Sequence, residues 1–430
     1  PSGVEMVTVD ASPLGGPAAL ALSPDGSGTY AASFEVSSPP AADGDVSLTV
    51  TATDVAGNGA TGDDLIALDT TAPAVSSVTV TEAGGDDVVR PGDTVSVSAA
   101  VADATSGLET VTVDASPLGG PASLALSPDG SDEYAATFAV ASPPDDDGTV
   151  SLSVAARDVA GNDASGTDEV LLDTAAPTLS AVTVTHAGGD DVVRPGDTVR
   201  VAVAVTDETS GVASVAVDAS PLGGPAALAL TPNGSGAFTA TFGATDPPTA
   251  DGPVSLTAVA VDAAGNRANG TDGVALDTTA PTVENVTVTE AGDDDTVTTG
   301  DTVRVAVDVA DATSGVASVA VDASPLGGPA ALALTESGED GRYVATFEVS
   351  SPPAADGAVS LSVAVVDVAG NDAAGSDDVA LDTATPEVAS ATVTHAGDDD
   401  VVRDGDTVRV AVDVTDETSG VARVAGDASP

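Results

Sequence analysis

The motif Asp-Ala-Ser-Pro recurs at a nearly constant interval and constrains the fold more than any other feature of the sequence. It begins at Asp10, Asp114, Asp218, Asp322 and Asp427, so the spacing is 104 residues three times and 105 residues once. An interval of this length is the size of one small domain, and chains built from such repeats fold as tandem arrays. The repeat predicts three whole modules, 72–175, 176–279 and 280–384, between partial modules at 1–71 and 385–430.

Each module has the alternating apolar pattern of β-strands, broken by turns rich in Gly, Pro and Asp. Helical periodicity is absent from the sequence. In module 72–175 we predict seven strands, near 75–82, 94–102, 108–115, 121–127, 133–141, 149–158 and 167–173. Seven short strands in one module are typical of an immunoglobulin-like β-sandwich. The predicted fold is therefore all-β, a tandem array of immunoglobulin-like domains of about 104 residues arranged as beads on a string.

The aromatic residues occupy two equivalent positions, four residues apart, in the fifth predicted strand. Positions four apart lie on one face of a strand, so we expect both rings to face the core. A carbohydrate-binding platform is the alternative, but so few rings are present that the cores need them. The eight residues are Tyr30, Phe34, Tyr134, Phe138, Phe238, Phe242, Tyr343 and Phe347.

The chain is strongly acidic, with 68 Asp and Glu residues against 10 Lys and Arg residues and a formal net charge of -58. In molar salt the Debye length falls to roughly 3 Å, which screens the self-repulsion of such a charge. We therefore expect a high-salt environment. The same charge argues against a nucleic-acid partner, which needs a basic surface. Because no apolar run approaches 18 residues, we expect no membrane span in this segment.

The boundary between modules has the form Asp-Thr-x-x-Pro, and we call this segment the joint. In an immunoglobulin-like sandwich the joint, the loop after the second strand and the loop before the last strand lie at one pole. Their carboxylate and amide oxygens could form the hard-oxygen shell that Ca²⁺ prefers. The alternative is structural, since Asp and Asn also cap turns and Pro stiffens the joint by fixing φ. The candidate ligands are Asp69, Asp103, Asp158 and Asn162; Asp173, Asp207, Asp262 and Asn266; and Asp277, Asp311, Asp367 and Asn371.

Three motifs carry a resemblance to a known family: LDTTAP, VxDxTSGVxSVxVD and VxVxDxAGN. They resemble the tandem bacterial-type immunoglobulin-like repeats of large surface adhesins and of archaeal, halophilic surface proteins. The resemblance covers essentially the whole chain. It implies secreted extender domains that hold a binding tip or an anchor away from the cell, in some members with Ca²⁺ stiffening the joints. Asp69, Asp103, Asp158 and Asn162 match the positions that would have that role.

We therefore expect a non-enzymatic, extracellular structural protein that forms a stalk or cell-surface filament. The alternatives are an adhesin whose modules bind glycan or neighbouring cells, and a surface-layer lattice protein. Copies of the chain itself are the expected partners. The partial modules at the two ends belong either to a longer covalent array or to subunits that complete each other by strand addition. Asn233, Asn269 and Asn285 lie in Asn-x-Ser/Thr sequons and are candidate glycosylation sites.

Overall fold

The computed structural model describes the chain apart from residues 1–2, 86, 131, 145, 293–295, 339–340, 398–400 and 428–430. It has two compact units. The first contains residues 1–178, 206–214 and 260–268, and the second contains 179–205, 215–259 and 269–430. The module limits derived from the repeat remain a prediction and serve only as names for stretches of sequence.

The described residues form short β-strands, with one turn of 3-10 helix in each of the first four sequence modules. In module 72–175 the strands are β7 (Ala74–Glu82), β8 (Val88–Val89), β9 (Thr94–Ala102), β10 (Leu108–Asp114), β11 (Leu124–Ala125), β12 (Ser127–Pro128), β13 (Glu133–Ala139), β14 (Gly148–Asp158) and β15 (Asp163–Leu172). They follow β1 (Val4–Asp10), β2 (Leu20–Ala21), β3 (Ser23–Pro24), β4 (Tyr30–Ala31), β5 (Gly44–Asp54) and β6 (Gly59–Leu68) of module 1–71.

The later modules repeat this order. Module 176–279 contains β16 (Thr178–His186), β17 (Val192–Val193), β18 (Thr198–Thr206), β19 (Val212–Asp218), β20 (Leu228–Ala229), β21 (Thr231–Pro232), β22 (Ala237–Gly243), β23 (Gly252–Asp262) and β24 (Arg267–Leu276). Module 280–384 contains β25 (Thr282–Glu290), β26 (Thr296–Val297), β27 (Thr302–Ala310), β28 (Val316–Val321), β29 (Leu332–Ala333), β30 (Thr335–Glu336), β31 (Arg342–Glu348), β32 (Gly357–Asp367) and β33 (Asp372–Leu381). The last two strands are β34 (Glu387–His395) and β35 (Val408–Thr415), and the 3-10 turns are Ser12–Leu14, Ser116–Leu118, Ser220–Leu222 and Ser324–Leu326. None of these helices is long and apolar enough to cross a membrane.

Module 72–175 is a β-sandwich, as predicted. One sheet has the order β11-β10-β14-β15-β8 and the other has the order β12-β13-β9-β7. Neighbouring strands are antiparallel, except that β8 pairs parallel with β15. Module 280–384 has the same two sheet orders, β29-β28-β32-β33-β26 and β30-β31-β27-β25. The all-β, immunoglobulin-like fold expected from the sequence is therefore confirmed.

The core lies between the two sheets and consists of alternate residues of facing strands. Val95, Val97 and Val101 of β9 are buried, and they pack with alternate residues of β14 such as Leu152 and Val154. Each such side chain contributes about 1.5–3 kcal/mol when it is buried. The small apolar residues of the sequence thus supply a continuous core.

The two aromatic positions differ in depth. Phe138, Phe242 and Phe347 are buried. Tyr134 and Tyr343, four residues earlier, are partly buried and pack against the edge of the core. The prediction that the aromatic residues face the core is confirmed for Phe138, Phe242 and Phe347, whereas Phe34, Phe238 and the tyrosines are half-buried.

The Asp-Ala-Ser-Pro motif forms a tight turn at the end of β10. The carboxylate of Asp114 accepts hydrogen bonds from the backbone nitrogen of Ser116 (2.9 Å) and from its hydroxyl (2.6 Å). Pro117 lies in the first turn of the 3-10 helix, where its missing N–H costs nothing, and Leu118 is buried. The sequence predicted one strand over 121–127. The chain instead crosses between the sheets there, since β11 pairs with β10 and β12 pairs with β13.

Candidate metal centre

The last strand of each module leads directly into the joint. After Leu172 ends β15, the backbone nitrogen of Asp173 donates to the carbonyl of Val89 at 2.9 Å. The next residue, Thr174, donates from its backbone nitrogen and from its hydroxyl to Asp147, both at 2.8 Å. Hydrogen bonds to module 72–175 therefore fix the first two residues of the joint.

Sequence reasoning missed the aspartate that makes this second contact. Asp147 is followed by Gly and lies 26 positions before the joint aspartate, and the same pair occurs in every other module that reaches a joint. That constant spacing was the available signal. The equivalents are Asp43, Asp251 and Asp356, which accept hydrogen bonds from Thr70, Thr278 and Thr383.

Three carboxylates meet at the joint that follows module 72–175. Asp173 belongs to the joint, Asp207 to the loop after β18, and Asp262 to the end of β23. One carboxylate oxygen from each lies within 4.8 Å of the others. Asp69, Asp103 and Asp158 form the equivalent cluster in residues 1–178, and Asp277, Asp311 and Asp367 form it in the second compact unit.

The carboxylates are well shielded from water. Asp158, Asp173, Asp262, Asp277 and Asp367 are each 2% exposed or less. Asp69, Asp103, Asp207 and Asp311 are half-buried. Burying charged carboxylates together is costly unless hydrogen bonds or a cation compensate them.

Hydrogen bonds from the loop supply part of this compensation. The Oδ1 atom of Asp207 accepts from the backbone nitrogens of Ser210 (3.0 Å) and Gly211 (2.7 Å). The hydroxyl of Ser210 donates to the Oδ2 atom of Asp173. These bonds show the turn-capping role that the sequence offered as the alternative to metal binding. They use only some of the carboxylate oxygens, since each ionised carboxylate has about four acceptor sites.

The predicted asparagines bind the joint through their amide nitrogens. The Nδ2 atom of Asn266 donates to the carbonyl oxygens of Asp173 (3.0 Å) and Ala175 (3.1 Å), and to Oδ2 of Asp262 (3.0 Å). Asn162 and Asn371 make the same three contacts at the other two clusters. In this arrangement the asparagines connect the turn to the joint, and the carboxylates offer the negatively charged oxygens.

Two aspartates of the clusters have shifted pKa values. Burial is the main cause that raises the pKa of Asp173, and the charges of Asp207 and Asp262 add to it against the opposing hydrogen bond from Ser210. Burial also acts to raise the pKa of Asp158, but hydrogen bonds from Asn162 and from the backbone of Gly161 and Ala160 outweigh it and lower that pKa. The surroundings of Asp173 therefore favour its neutral form more than water does.

The donor set suits a hard divalent cation. Ca²⁺ binds oxygens at about 2.3–2.6 Å, so ligands on opposite sides of the ion lie up to roughly 5 Å apart. The carboxylate oxygens of each cluster meet this limit. In the cluster of residues 1–178, the hydroxyl of Ser106 is also buried and, among the described residues, has no hydrogen-bond partner. The backbone nitrogen of the same residue donates to Asp69 (3.1 Å) and Asp103 (3.0 Å), so Ser106 belongs to the loop that surrounds this cluster.

The three sequons lie on the surface. Asn233 is exposed in a turn, where its Oδ1 atom accepts from the backbone nitrogen of Ser235 at 3.0 Å. Asn269 is exposed on β24. Asn285 lies at an irregularity of β25 with φ +48°, and its amide nitrogen donates to Asp308 at 2.9 Å.

The model of the "Bacterial Ig-like domain (group 3)" family matches residues 28–170 and 163–274, which together make up more than half of the chain. The chain belongs to this bacterial Ig-like family. Among curated proteins, no sequence is significantly similar to this chain.

Several solved structures are similar to the chain at low identity. A tetra-tandem repeat from the extending region of a large adhesion protein is 20% identical over 89% of this chain and 93% of that chain, with a TM-score of 0.33. The Escherichia coli adhesin FdeC is 18% identical over 73% and 99%, with a TM-score of 0.31. A 1.5-MDa bacterial ice-binding adhesin is 22% identical over 74% and 100%, with a TM-score of 0.38. Likenesses at this level do not define the function of this bacterial Ig-like chain.

Proposed function

We propose that the chain is an extracellular spacer, a stalk or cell-surface filament of tandem Ig-like modules whose joints bind Ca²⁺. The observation that carries this proposal is the carboxylate cluster at each of the three joints, where the oxygens of Asp173, Asp207 and Asp262, for example, lie within 4.8 Å of one another. In the predicted division into modules, Asp173 comes from one side of a boundary, and Asp207 and Asp262 come from the other. An ion there opposes bending, because bending separates its ligands.

Direct contacts add to the effect of the ion. Asn266 binds the backbone of the joint at both Asp173 and Ala175, and Thr174 is held by Asp147. The proline of each joint fixes φ and further reduces the available conformations. The role is therefore mechanical, one of reach and stiffness, and it requires no catalytic group.

The acidic surface supports a high-salt environment and a solvent-facing role. With a net charge of -58, the chain repels itself in dilute buffer, whereas at molar salt that repulsion extends only roughly 3 Å. The sequons at Asn233, Asn269 and Asn285 suit glycosylation of a secreted surface. Further copies of the chain are the proposed partners in a filament.

Small-angle scattering tests the proposal on the full chain in molar salt, with Ca²⁺ and with a chelator. We expect the maximum dimension to stay long and well defined with Ca²⁺, and the distribution of conformations to widen when the chelator removes it. The variant in which Asp173, Asp207 and Asp262 are all replaced by Asn should respond less to Ca²⁺ than the wild type. A wild-type profile that is the same with Ca²⁺ and with chelator contradicts calcium-dependent joints.

A further inference from the structure

Two arginines cross from one sequence module to the next at the edge of the joint. We propose that Arg90 and Arg194 are positioning residues that fix the orientation of the following module independently of a cation. We call this contact the arginine bridge. The inference rests on the proposed function, since it concerns the stiffness of the same joints.

The start of the bridge lies beside the joint because of strand pairing. Val88 and Val89 pair parallel with Leu171 and Leu172, so Arg90 leaves the sandwich next to Asp173. In the second compact unit, β17 pairs in the same way with β24, so Arg194 lies next to Asp277. Arg90 follows the two-residue strand directly, so its backbone position is set by the strand that ends at the joint.

The loop that carries the arginine is itself restrained. The backbone nitrogen of Arg90 donates to Oδ2 of Asp93 at 3.0 Å, and its Nε atom lies 3.9 Å from Oδ1 of the same residue. Arg194 and Asp197 repeat the backbone bond at 3.0 Å. The side chain therefore extends from a fixed base, which lowers the entropy lost when it binds.

The guanidinium reaches the turn that carries the last carboxylate of the cluster. Arg194 donates from Nη1 to the carbonyl oxygen of Gly370, which lies in the turn between Asp367 and Asn371. Arg90 covers the equivalent Gly265 so closely that a methyl group added there would lie 3.0 Å from both Nη1 and Nη2. A methyl group at Gly370 would lie 3.0 Å from Cζ of Arg194. In each compact unit an arginine thus lies against the turn glycine, and Arg194 also donates a hydrogen bond to it.

The turn is consequently held at two points. Asn266 binds the joint backbone, and the neighbouring Gly265 is covered by Arg90. A charge-assisted hydrogen bond from an arginine to a carbonyl is stronger than a neutral one. Because this contact uses no carboxylate of the cluster, it persists when the ion is removed.

The chain offers a natural substitution for the test. Thr298 occupies the position of Arg90 and Arg194 in module 280–384, and its backbone nitrogen still donates to Asp301 at 2.7 Å. Arg90→Thr and Arg194→Thr therefore keep the loop and remove only the guanidinium. Arg200→Thr is the matched control, because Arg200 is exposed on β18 and its removal changes the net charge equally.

Spin-label distance measurements on the full chain separate the two joints. The chain has no cysteine, so cysteines introduced at the exposed, equivalent positions Thr137, Thr241 and Thr346 are the only labelled sites. Residues 137 and 241 report on the joint at Asp173, and residues 241 and 346 report on the joint at Asp277. The wild type and all variants are measured in molar salt with a chelator, and the wild type is also measured with Ca²⁺.

We expect Arg90→Thr to broaden only the 137–241 distance distribution and Arg194→Thr to broaden only the 241–346 distribution. For Arg194→Thr the population outside the wild-type peak should rise roughly tenfold, the factor that loss of one charge-assisted hydrogen bond produces. For Arg90→Thr that population should rise in the same direction, because the guanidinium no longer lies against Gly265. Arg200→Thr should change neither distribution. Distributions of the two variants that equal the wild type overturn the arginine bridge. A wild type that stays broad even with Ca²⁺ instead contradicts the proposed stiff stalk.

Discussion

The amide nitrogen of Asn266 lies 3.0 Å from the carbonyl oxygen of Asp173, a residue 93 positions earlier in the chain. This bond joins the turn before the last strand of one sequence module to the segment that precedes that module. It gives the Asn of the motif VxVxDxAGN a role at the joint as well as in its own turn.

Asn266→Asp should weaken the joint. The new carboxylate has no N–H to donate, and it faces the carbonyl oxygens of Asp173 and Ala175 as well as Asp262. We expect thermal unfolding in molar salt to show a loss of about 1–3 kcal/mol. Asn233→Asp is the control, because Asn233 accepts with Oδ1 and an aspartate keeps that bond. Equal losses for the two variants would show that Asn266 acts only within its own turn.

Asp207→Asn should reduce the response of the protein to Ca²⁺. The asparagine keeps an oxygen that accepts from Ser210 and Gly211, so the loop is retained while one charge of the cluster is lost. We expect Ca²⁺ to raise the melting temperature of this variant less than that of the wild type. Asp218→Asn, which changes a turn outside the joint, should respond as the wild type does. An unchanged response of Asp207→Asn argues against a metal ligand at this position.

Asp147→Ala should destabilise the start of the joint. The change removes the acceptor of two hydrogen bonds from Thr174 and of one from Ala175 at 3.2 Å. We expect a loss of about 2 kcal/mol in thermal unfolding, since hydrogen bonds to a charged group are involved. The neighbouring Asp146 is exposed, and Asp146→Ala should be nearly neutral. A neutral Asp147→Ala would show that the joint does not depend on this contact.

Comparing Gly223→Ala with Gly234→Ala distinguishes the energetic cost of a positive φ from the cost of a steric clash. The two glycines have nearly the same φ, +75° and +78°, so alanine costs about 1–2 kcal/mol at either position. A methyl group at Gly223 would also lie 1.7 Å from the carbonyl oxygen of Thr245, whereas nothing lies within 4 Å of one at Gly234. We expect Gly223→Ala to be clearly the more destabilising in thermal unfolding. Equal losses of stability in the two variants would mean that the turn after Leu222 moves enough to relieve the clash with Thr245.

Acid should remove the contribution that the turn-capping aspartates make to the stability of the fold. Hydrogen bonds from the side chain and then the backbone of Ser220 hold the pKa of Asp218 below its ordinary value of 3.8. A carboxylate with a lowered native pKa stabilises the fold above the unfolded pKa, and this stabilisation is lost as the pH falls through the native value. The stability difference between wild type and Asp218→Ala should therefore be constant at neutral pH and shrink below pH 3.8. Thermal unfolding at fixed salt, with chelator, measures this stability difference. A difference that does not depend on pH contradicts the stabilising role of the charged Asp218.

The strands with long alternating patterns could be predicted from the sequence. The alternation of Val95, Val97, Ala99 and Val101 was enough to place β9, because a half-buried strand requires this period. The strand β8 could not be predicted. It has only two residues and exists because it pairs with β15, about 80 positions later.

The candidate site also contains residues that could be predicted from the sequence and residues that could not. The aspartates at the joints could be named because their positions recur in each module and share one pole of the predicted sandwich. The role of Asp147 was marked only by its constant spacing of 26 positions before the joint aspartate, and the contact of Arg90 was marked by nothing, because locally it resembles an ordinary surface arginine. Their roles depend on which segments lie beside the joint, and that is a property of the folded chain.

The wide sequence separation of Asp173, Asp207 and Asp262 sets an order of assembly. As the polypeptide emerges from the ribosome, the first of these residues appears about 90 positions before the last, so this connection stays incomplete until nearly the whole following repeat has been synthesised. In the proposed stalk, each newly folded module would therefore secure the module made before it, and stiffness would develop along the growing molecule in the direction of translation.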